Sequence, residues 1–378
     1  MKYPIYMDYN ATTPLDKKVL ENMLPYLTEH FGNAASRSHV YGWKAAEAVD
    51  IGRQQIADLL GTSPKEIVFT SGATESVNLA IKGVFEAFGH KGKHIITVKT
   101  EHKAVLDTCQ HIEKLGAEIT YLGVDSKGNI SLEQLENAIR KDTILISVMV
   151  ANNEIGVIYP FKEITKIAYR HNVLFHTDAT QAVGKIPINV VEDEIDLLSF
   201  SGHKIYGPKG VGALYVRKKL NITAQQDGGK HERGMRSGTL NVAGIVGLGE
   251  AAEICRNTML QEAIRLAVLR NNLERGILEK VPNTQINGSL DNRLPNTTNI
   301  SFGKIDGEQL LMNLNEIAVS NGSACNSAST EPSYVLKAMG LDDESAYSSV
   351  RFSIGRMTKE EDIEIAVNHV ATVIDRMR

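Results

Sequence analysis

Cysteine is scarce in this chain: Cys109, Cys255 and Cys325 are the three present, and they lie far apart. With neither a CxxC pair nor the dense, even spacing of a cross-linked scaffold, the sequence predicts no disulfide framework and no metal centre, and a reducing compartment is expected. Long apolar runs are missing as well. The longest mainly apolar stretch, ILISVMV, has seven residues, far short of the roughly 20 that a membrane helix needs. The opening MKYPIYMDYNATTP has no basic region followed by an apolar one, so it does not read as a leader, and a cytoplasmic protein without a membrane anchor is expected. Charge of one sign is also lacking. Forty-one Lys and Arg face 45 Asp and Glu, a net charge of -4, which leaves no basic footprint for nucleic acid or anionic lipid. A small or mildly anionic substrate fits that balance better.

What is present is a regular alternation. Between about residues 44 and 220, EIVFTSG, HIITVKTEH, EITYLGV, TILISVMVANNE, VLFHTDATQ, IDLLSFSGHK and VGALYVRK are strand candidates. Several are apolar on both faces, as buried strands of a mostly parallel sheet must be, and helical patterns separate them. One helix shows Ala45, Ala48, Val49, Ile56, Leu59 and Leu60 on one face with Gly61 to close it; another opens on the capping pair Ser131 and Gln134. The fold class read from this is α/β. After about residue 255 a long helix with Leu260, Ala263, Ile264, Ala267 and Val268 in phase precedes a strand, NTTNISF. The last helix is expected to start on a capping box of Thr358 and Glu361, with Ile363, Val367, Val370 and Ile374 inward. The expected division is a large domain over residues 15–255 and a smaller α+β domain from residues 1–14 and 256–378. No repeat or long linker interrupts it.

Several strands pass from apolar residues straight into a polar cluster, and in open α/β sheets ligands bind at the carboxyl ends of strands. IVFTSGATESVNLAIKG is strand, then Ser71, Gly72, Ala73 and Thr74, then helix, which suits a phosphate; simple helix capping reads the same way. Asp178 and Gln181 follow another strand closely enough to touch one planar ligand, although Asp178 could equally be a cap. In LLSFSGHKIYGPKGVG, Ser201, His203 and Lys204 precede Gly207, Pro208 and Gly210. A lysine so placed is either an exposed turn residue or a Schiff-base amine whose pKa burial lowers. Cys325 sits in SNGSACNSAST with no large apolar neighbour to bury it, as a surface residue or as a reactive thiol.

Taken in order, DYNATTP, FTSGATESVNLAIKG, TEHKAV, VMVANNEIGVIYP, HTDATQAVGK, SFSGHKIYGPKGVGALYVR, HERGMRSGT, GSACNSAS and VRFSIGR resemble pyridoxal phosphate enzymes of the aspartate aminotransferase fold. The detail is closest to cysteine desulfurases of the NifS/IscS kind, over residues 5 to about 375. The resemblance implies a large domain with a mostly parallel sheet and a smaller α+β domain. It implies pyridoxal 5'-phosphate on Lys204, Asp178 on the pyridine nitrogen, His102 stacked on the ring and able to shuttle protons, and Gln181 on the ring oxygen. Ala73, Thr74, Ser201 and His203 would hold the phosphate, with Thr239 reaching the cofactor of a neighbouring subunit in a homodimer. Arg351, helped by Asn153, would clamp the carboxylate of L-cysteine, although a lone arginine is more often a surface ion pair. Cys325 would take the sulfur as a persulfide, leaving alanine, and pass it to an acceptor protein such as an iron–sulfur scaffold. Small, polar neighbours would let its loop move, while Cys109 and Cys255 would be inert. The competing readings are another class V enzyme, an aminotransferase or selenocysteine lyase, and a non-enzymatic sulfur or metal carrier.

Overall fold

The computed structural model describes residues 4–321 and 331–378, so Cys325 and the expected mobility of its loop lie outside the described residues. Strands β1 (Ile5–Tyr6), β2 (Ile67–Thr70), β3 (His94–Val98), β4 (Glu118–Leu122), β5 (Thr143–Ser147), β6 (Leu174–Asp178), β7 (Leu197–Ser201) and β8 (Gly212–Val216) come first. Strands β9 (Thr284–Asn287), β10 (Thr297–Phe302), β11 (Ile317–Ala318) and β12 (Ser349–Ser353) follow. The seven strand candidates of the first half form one sheet of order β2-β8-β7-β6-β5-β3-β4. Pairing is parallel from β7 through β4, and β8 alone runs against its neighbours β2 and β7. This direction matters for the site. The carboxyl ends of β2, β3, β5, β6 and β7 all reach the same edge of the sheet, and the polar clusters read from the sequence follow those five ends.

The β3, β5, β7 and β8 side chains are buried throughout, because helices cover both faces, which is why the strands read as apolar runs without alternation. Helix Val40–Leu60 packs on the sheet through Ala45, Ala48, Val49, Ile56 and Leu60 and ends at Gly61, whose φ of 70° places it in the left-handed region. Met7 and residues from β10 and β12 belong to a second apolar core. Helix Val242–Lys280 runs unbroken through residue 255; its first part, including Val242, Ile245 and Leu248, joins the first core, and Leu266, Leu269, Leu273 and Ile277 join the second.

One local expectation needs correction and another needs completing. Leu260, Ile264 and Val268 share a helix face, but that face is exposed in the single chain, and Leu266, Leu269 and Leu273 are the buried set. The last helix, Glu360–Met377, starts one residue later than expected: Lys359 is its cap, and the Asp362 carboxylate accepts from the Lys359 N–H at 2.8 Å. Thr358 instead closes the preceding turn by accepting from the Gly355 N–H at 3.0 Å. Among the described residues no helix is long and apolar enough to cross a membrane.

Candidate active site

At the shared carboxyl edge lies a cavity of about 420 Å³. Ala73, Thr74, His102, Asn153, Asp178, Gln181, Ser201, His203 and Lys204 all line it. Five separate loops therefore deliver nine of the sequence-predicted residues to one place.

The turn after β2 is built on glycine. Gly72 has φ 153° and precedes helix Ala73–Phe88 without offering a capping side chain. The first-turn N–H groups of a helix have no partner within it, and here they open beside Ala73 and Thr74 on the cavity. A Cβ on Gly212, at the start of β8, would lie 2.7 Å from the Gly72 Cα, so the strand must be bare there for the turn to sit against it, whereas at Gly72 it is the φ and not the space that calls for glycine. Glu75 braces the turn, accepting from the Ser71 N–H at 2.7 Å and pairing with Arg236 at 2.8 Å.

Asp178 ends β6 with its side chain buried and one carboxylate oxygen accepting from the Thr180 N–H at 2.9 Å. His102 caps helix Lys103–Glu113: its Nδ1 accepts from the Ala104 N–H at 3.1 Å. An accepting Nδ1 puts the proton of the neutral ring on Nε2. Beside it Glu101 is wholly buried, with Oε1 accepting from the Met149 N–H at 2.6 Å; burial, followed by the field of Asp178, raises its pKa well above the usual carboxylate range. His203 follows β7, and burial, with help from the cations Lys204, Lys209 and Lys185, lowers its pKa to about 4. It therefore stands as a neutral imidazole near pH 7, with Nδ1 3.1 Å from the Thr12 hydroxyl. Cys109 and Cys255 are buried on helices, and burial pushes their thiols up to about 12 and about 11, so neither supplies a thiolate at neutral pH.

The half-buried Lys204 amine donates to the carbonyls of Asn10 at 2.5 Å and Ala11 at 2.8 Å. The same Asn10 carbonyl accepts from Nε2 of Gln181 at 2.9 Å. Asn10 is buried, and its Nδ2 donates to the Asn153 carbonyl at 3.1 Å and to the Thr297 hydroxyl at 2.9 Å. It is thus the junction between the amine, Gln181 and Asn153.

The aminotransferase class-V family model matches residues 5–365. The chain belongs to that family. Curated relatives named cysteine desulfurase IscS, from Serratia proteamaculans and Escherichia coli, are 56% identical over 382 aligned residues, covering all of this chain and 94% of theirs. Among solved structures, a NifS-like protein is 39% identical with a TM-score of 0.93, covering 99% of this chain and all of that one. The structure titled SspA in complex with cysteine is 40% identical with a TM-score of 0.83, over 93% of this chain and 98% of that one. Within the class-V family the chain stands among the cysteine desulfurases.

In this class-V chain two expected residues lie outside the cavity wall. Arg351 is buried on β12, where Nη2 holds the Asp8 carboxylate at 2.6 Å and Nη1 donates to the Asn153 carbonyl at 3.1 Å. Its Nε, a donor, and the Asn153 Oδ1, an acceptor, are buried without a hydrogen-bond partner among the described residues; a ligand carboxylate would meet the first and a ligand N–H or O–H the second. Thr239 is exposed in the single chain and is not part of the cavity. The sequence reading missed Asp8, Asn10 and Lys185. The first two stand in DYNATTP, which served as a family signature without a role for either residue.

Proposed function

We propose that the chain is a pyridoxal 5'-phosphate-dependent cysteine desulfurase that converts L-cysteine to L-alanine and carries the sulfur as a persulfide on Cys325. The observation that carries this reading is the single cavity in which an amine, a buried carboxylate, a histidine and a helix N-terminus meet. These groups fit the cofactor: Ala73, Thr74, Ser201 and His203 would hold its phosphate, Asp178 its ring nitrogen, Gln181 its ring oxygen and Lys204 its aldehyde carbon. The glycine-built turn and the orphaned Asn153 Oδ1 leave room and hydrogen-bond capacity for such a ligand. Bound there, pyridoxal phosphate supplies an electron sink for the negative charge that develops at the substrate Cα.

Each side chain then has a task. Asp178, a buried carboxylate fixed by the Thr180 N–H, would hold the proton of the ring nitrogen. The Lys204 amine, which lines the cavity, would be the base placed to move the Cα proton. His102, whose Nδ1 is held by the Ala104 N–H, would cover the ring face and pass protons through Nε2, the nitrogen left free to take one up and return it. Arg351 and Asn153 receive the substrate carboxylate, which requires the guanidinium to share or release Asp8. The Cys325 thiolate attacks the substrate sulfur. The sulfur–sulfur bond forms as the carbon–sulfur bond breaks, and the electron pair left on carbon takes a proton to give alanine. A sulfur-acceptor protein, such as an iron–sulfur scaffold, would then remove the outer sulfur of the persulfide in the cytoplasm.

The test is stoichiometry. Incubation with L-cysteine should yield one alanine per persulfide in a single turnover, and one alanine per sulfide with excess thiol. A requirement for a keto acid, with mercaptopyruvate as product, would give the site to transamination, and pyruvate with ammonia and sulfide in place of alanine would give it to lyase chemistry.

The homodimer gives a separate prediction. If Thr239 of one subunit serves the phosphate of the other, a Lys204→Ala chain and a Thr239→Ala chain are each impaired alone. Mixed and co-refolded, they should recover up to about a quarter of wild-type activity, since half the dimers are mixed and each has one intact site. No recovery in dimers shown to be mixed by mass would place Thr239 in its own subunit's site or in none.

A further inference from the structure

Beneath the cavity, on the turn after β6, Lys185 donates from Nζ to Oε1 of Gln181 at 2.9 Å. It borders a small inner cavity whose wall also includes Lys204, Tyr206, Cys255 and Glu262. Nothing in the reaction proposed above uses it. A side-chain amide has two different ends, however, and nothing in its shape chooses between them. An ammonium donates and never accepts, so Lys185 admits only the carbonyl end of Gln181. The amide nitrogen is thereby turned the other way, where one N–H reaches the Asn10 carbonyl at 2.9 Å and the second is left for the cavity that Gln181 lines. The chain of contacts runs from Lys185 through Gln181 and the Asn10 carbonyl to the Lys204 amine.

We propose that Lys185 is a positioning residue that fixes the Gln181 amide with its donor end toward the cofactor ring oxygen. This rests on the assignment of Gln181 to that oxygen. Without Lys185 the amide can turn its carbonyl to the same place, which replaces a donor by an acceptor facing an oxygen that carries negative charge. Loss of a hydrogen bond to a charged acceptor is worth about tenfold or more in affinity. Burial, then the nearby Lys204 charge, lowers the Lys185 pKa to about 7; the neutral amine can accept as well as donate, so it is the ammonium form that enforces this orientation.

The experiment compares full-length holoproteins carrying Lys185→Met, Gln181→Ala or both, reading cofactor dissociation by equilibrium dialysis and the visible absorbance of the bound cofactor. Methionine keeps the length of the lysine stem and should preserve the melting temperature. Expected are about tenfold weaker cofactor binding and a displaced absorbance maximum in Lys185→Met, and a double variant no weaker than Gln181→Ala. Additive losses, or a Lys185→Met protein with wild-type affinity and spectrum, overturn the proposal while leaving Gln181 on the ring oxygen. A Gln181→Ala protein with wild-type affinity and spectrum overturns the Gln181 assignment and this proposal with it. Should the methionine variant not fold, Lys185→Gln, whose amide can offer either a donor or an acceptor, is expected to give an intermediate loss; wild-type behaviour there overturns the proposal too.

Discussion

Cys325→Ala should still bind pyridoxal phosphate and L-cysteine, with the same spectral response to substrate, while alanine formation falls by about a thousandfold or more, roughly 4 kcal/mol of lost transition-state stabilisation. The groups expected to bind the amino acid, Lys204, Asn153 and Arg351, belong to other elements and are untouched. What disappears is the nucleophile that accepts sulfur, so the loss belongs in kcat rather than in substrate affinity. Cys109→Ser and Cys255→Ser are the controls. Both thiols are buried and held protonated, so turnover should survive even if the melting temperature drops. Pre-steady-state alanine measurement checks this, and full alanine yield from Cys325→Ala would show that the thiol is not the acceptor.

Lys204→Ala should lose the yellow colour of covalently held cofactor and fall in activity by about 10⁴-fold, the upper range for removing a positioned acid–base group. Residual cofactor should remain, held by the cradle after β2. In the wild-type protein, borohydride reduction should fix the cofactor on Lys204 alone. Two other amines are near enough to serve as internal controls, Lys185 beneath the cavity and the exposed Lys209 at its mouth. Peptide mapping that found the label on Lys209 would refute the assignment.

The parts of this site that could be read from sequence are those set by short-range grammar. A buried parallel strand is an apolar run, and the residues that follow its carboxyl end reach the cavity edge, so Thr74, Asp178, Gln181 and Lys204 could be picked out locally, with capping or an exposed turn as the other reading, while His102 and Asn153 entered through the family resemblance. The antiparallel β8 looks no different from its parallel neighbours, because burial on both faces erases the alternation that marks direction. The exposed Leu260, Ile264 and Val268 have the right spacing for a core face, and only the packed helix shows which stripe the sheet covers. Asp8, Asn10 and Lys185 were illegible for another reason. Their roles are relations to Arg351, Gln181 and Lys204, and for the first two the partners are roughly half a chain or more away.

That distance bears on how the protein is made. The Asn10 N–H donates to the Ser353 hydroxyl, 343 positions later, and the Ser353 N–H donates to the Met7 carbonyl. The carbonyls that hold the Lys204 amine thus belong to a segment whose own anchor is made only after Lys204 and the whole sheet that carries it. Elongation at about 5–20 residues per second leaves Lys204 synthesised several seconds or more before that anchor exists. Throughout that interval the nascent chain carries a lysine able to react with any aldehyde it meets but lacks the finished enclosure that would choose one, so selective cofactor loading has to wait until the anchor has been made.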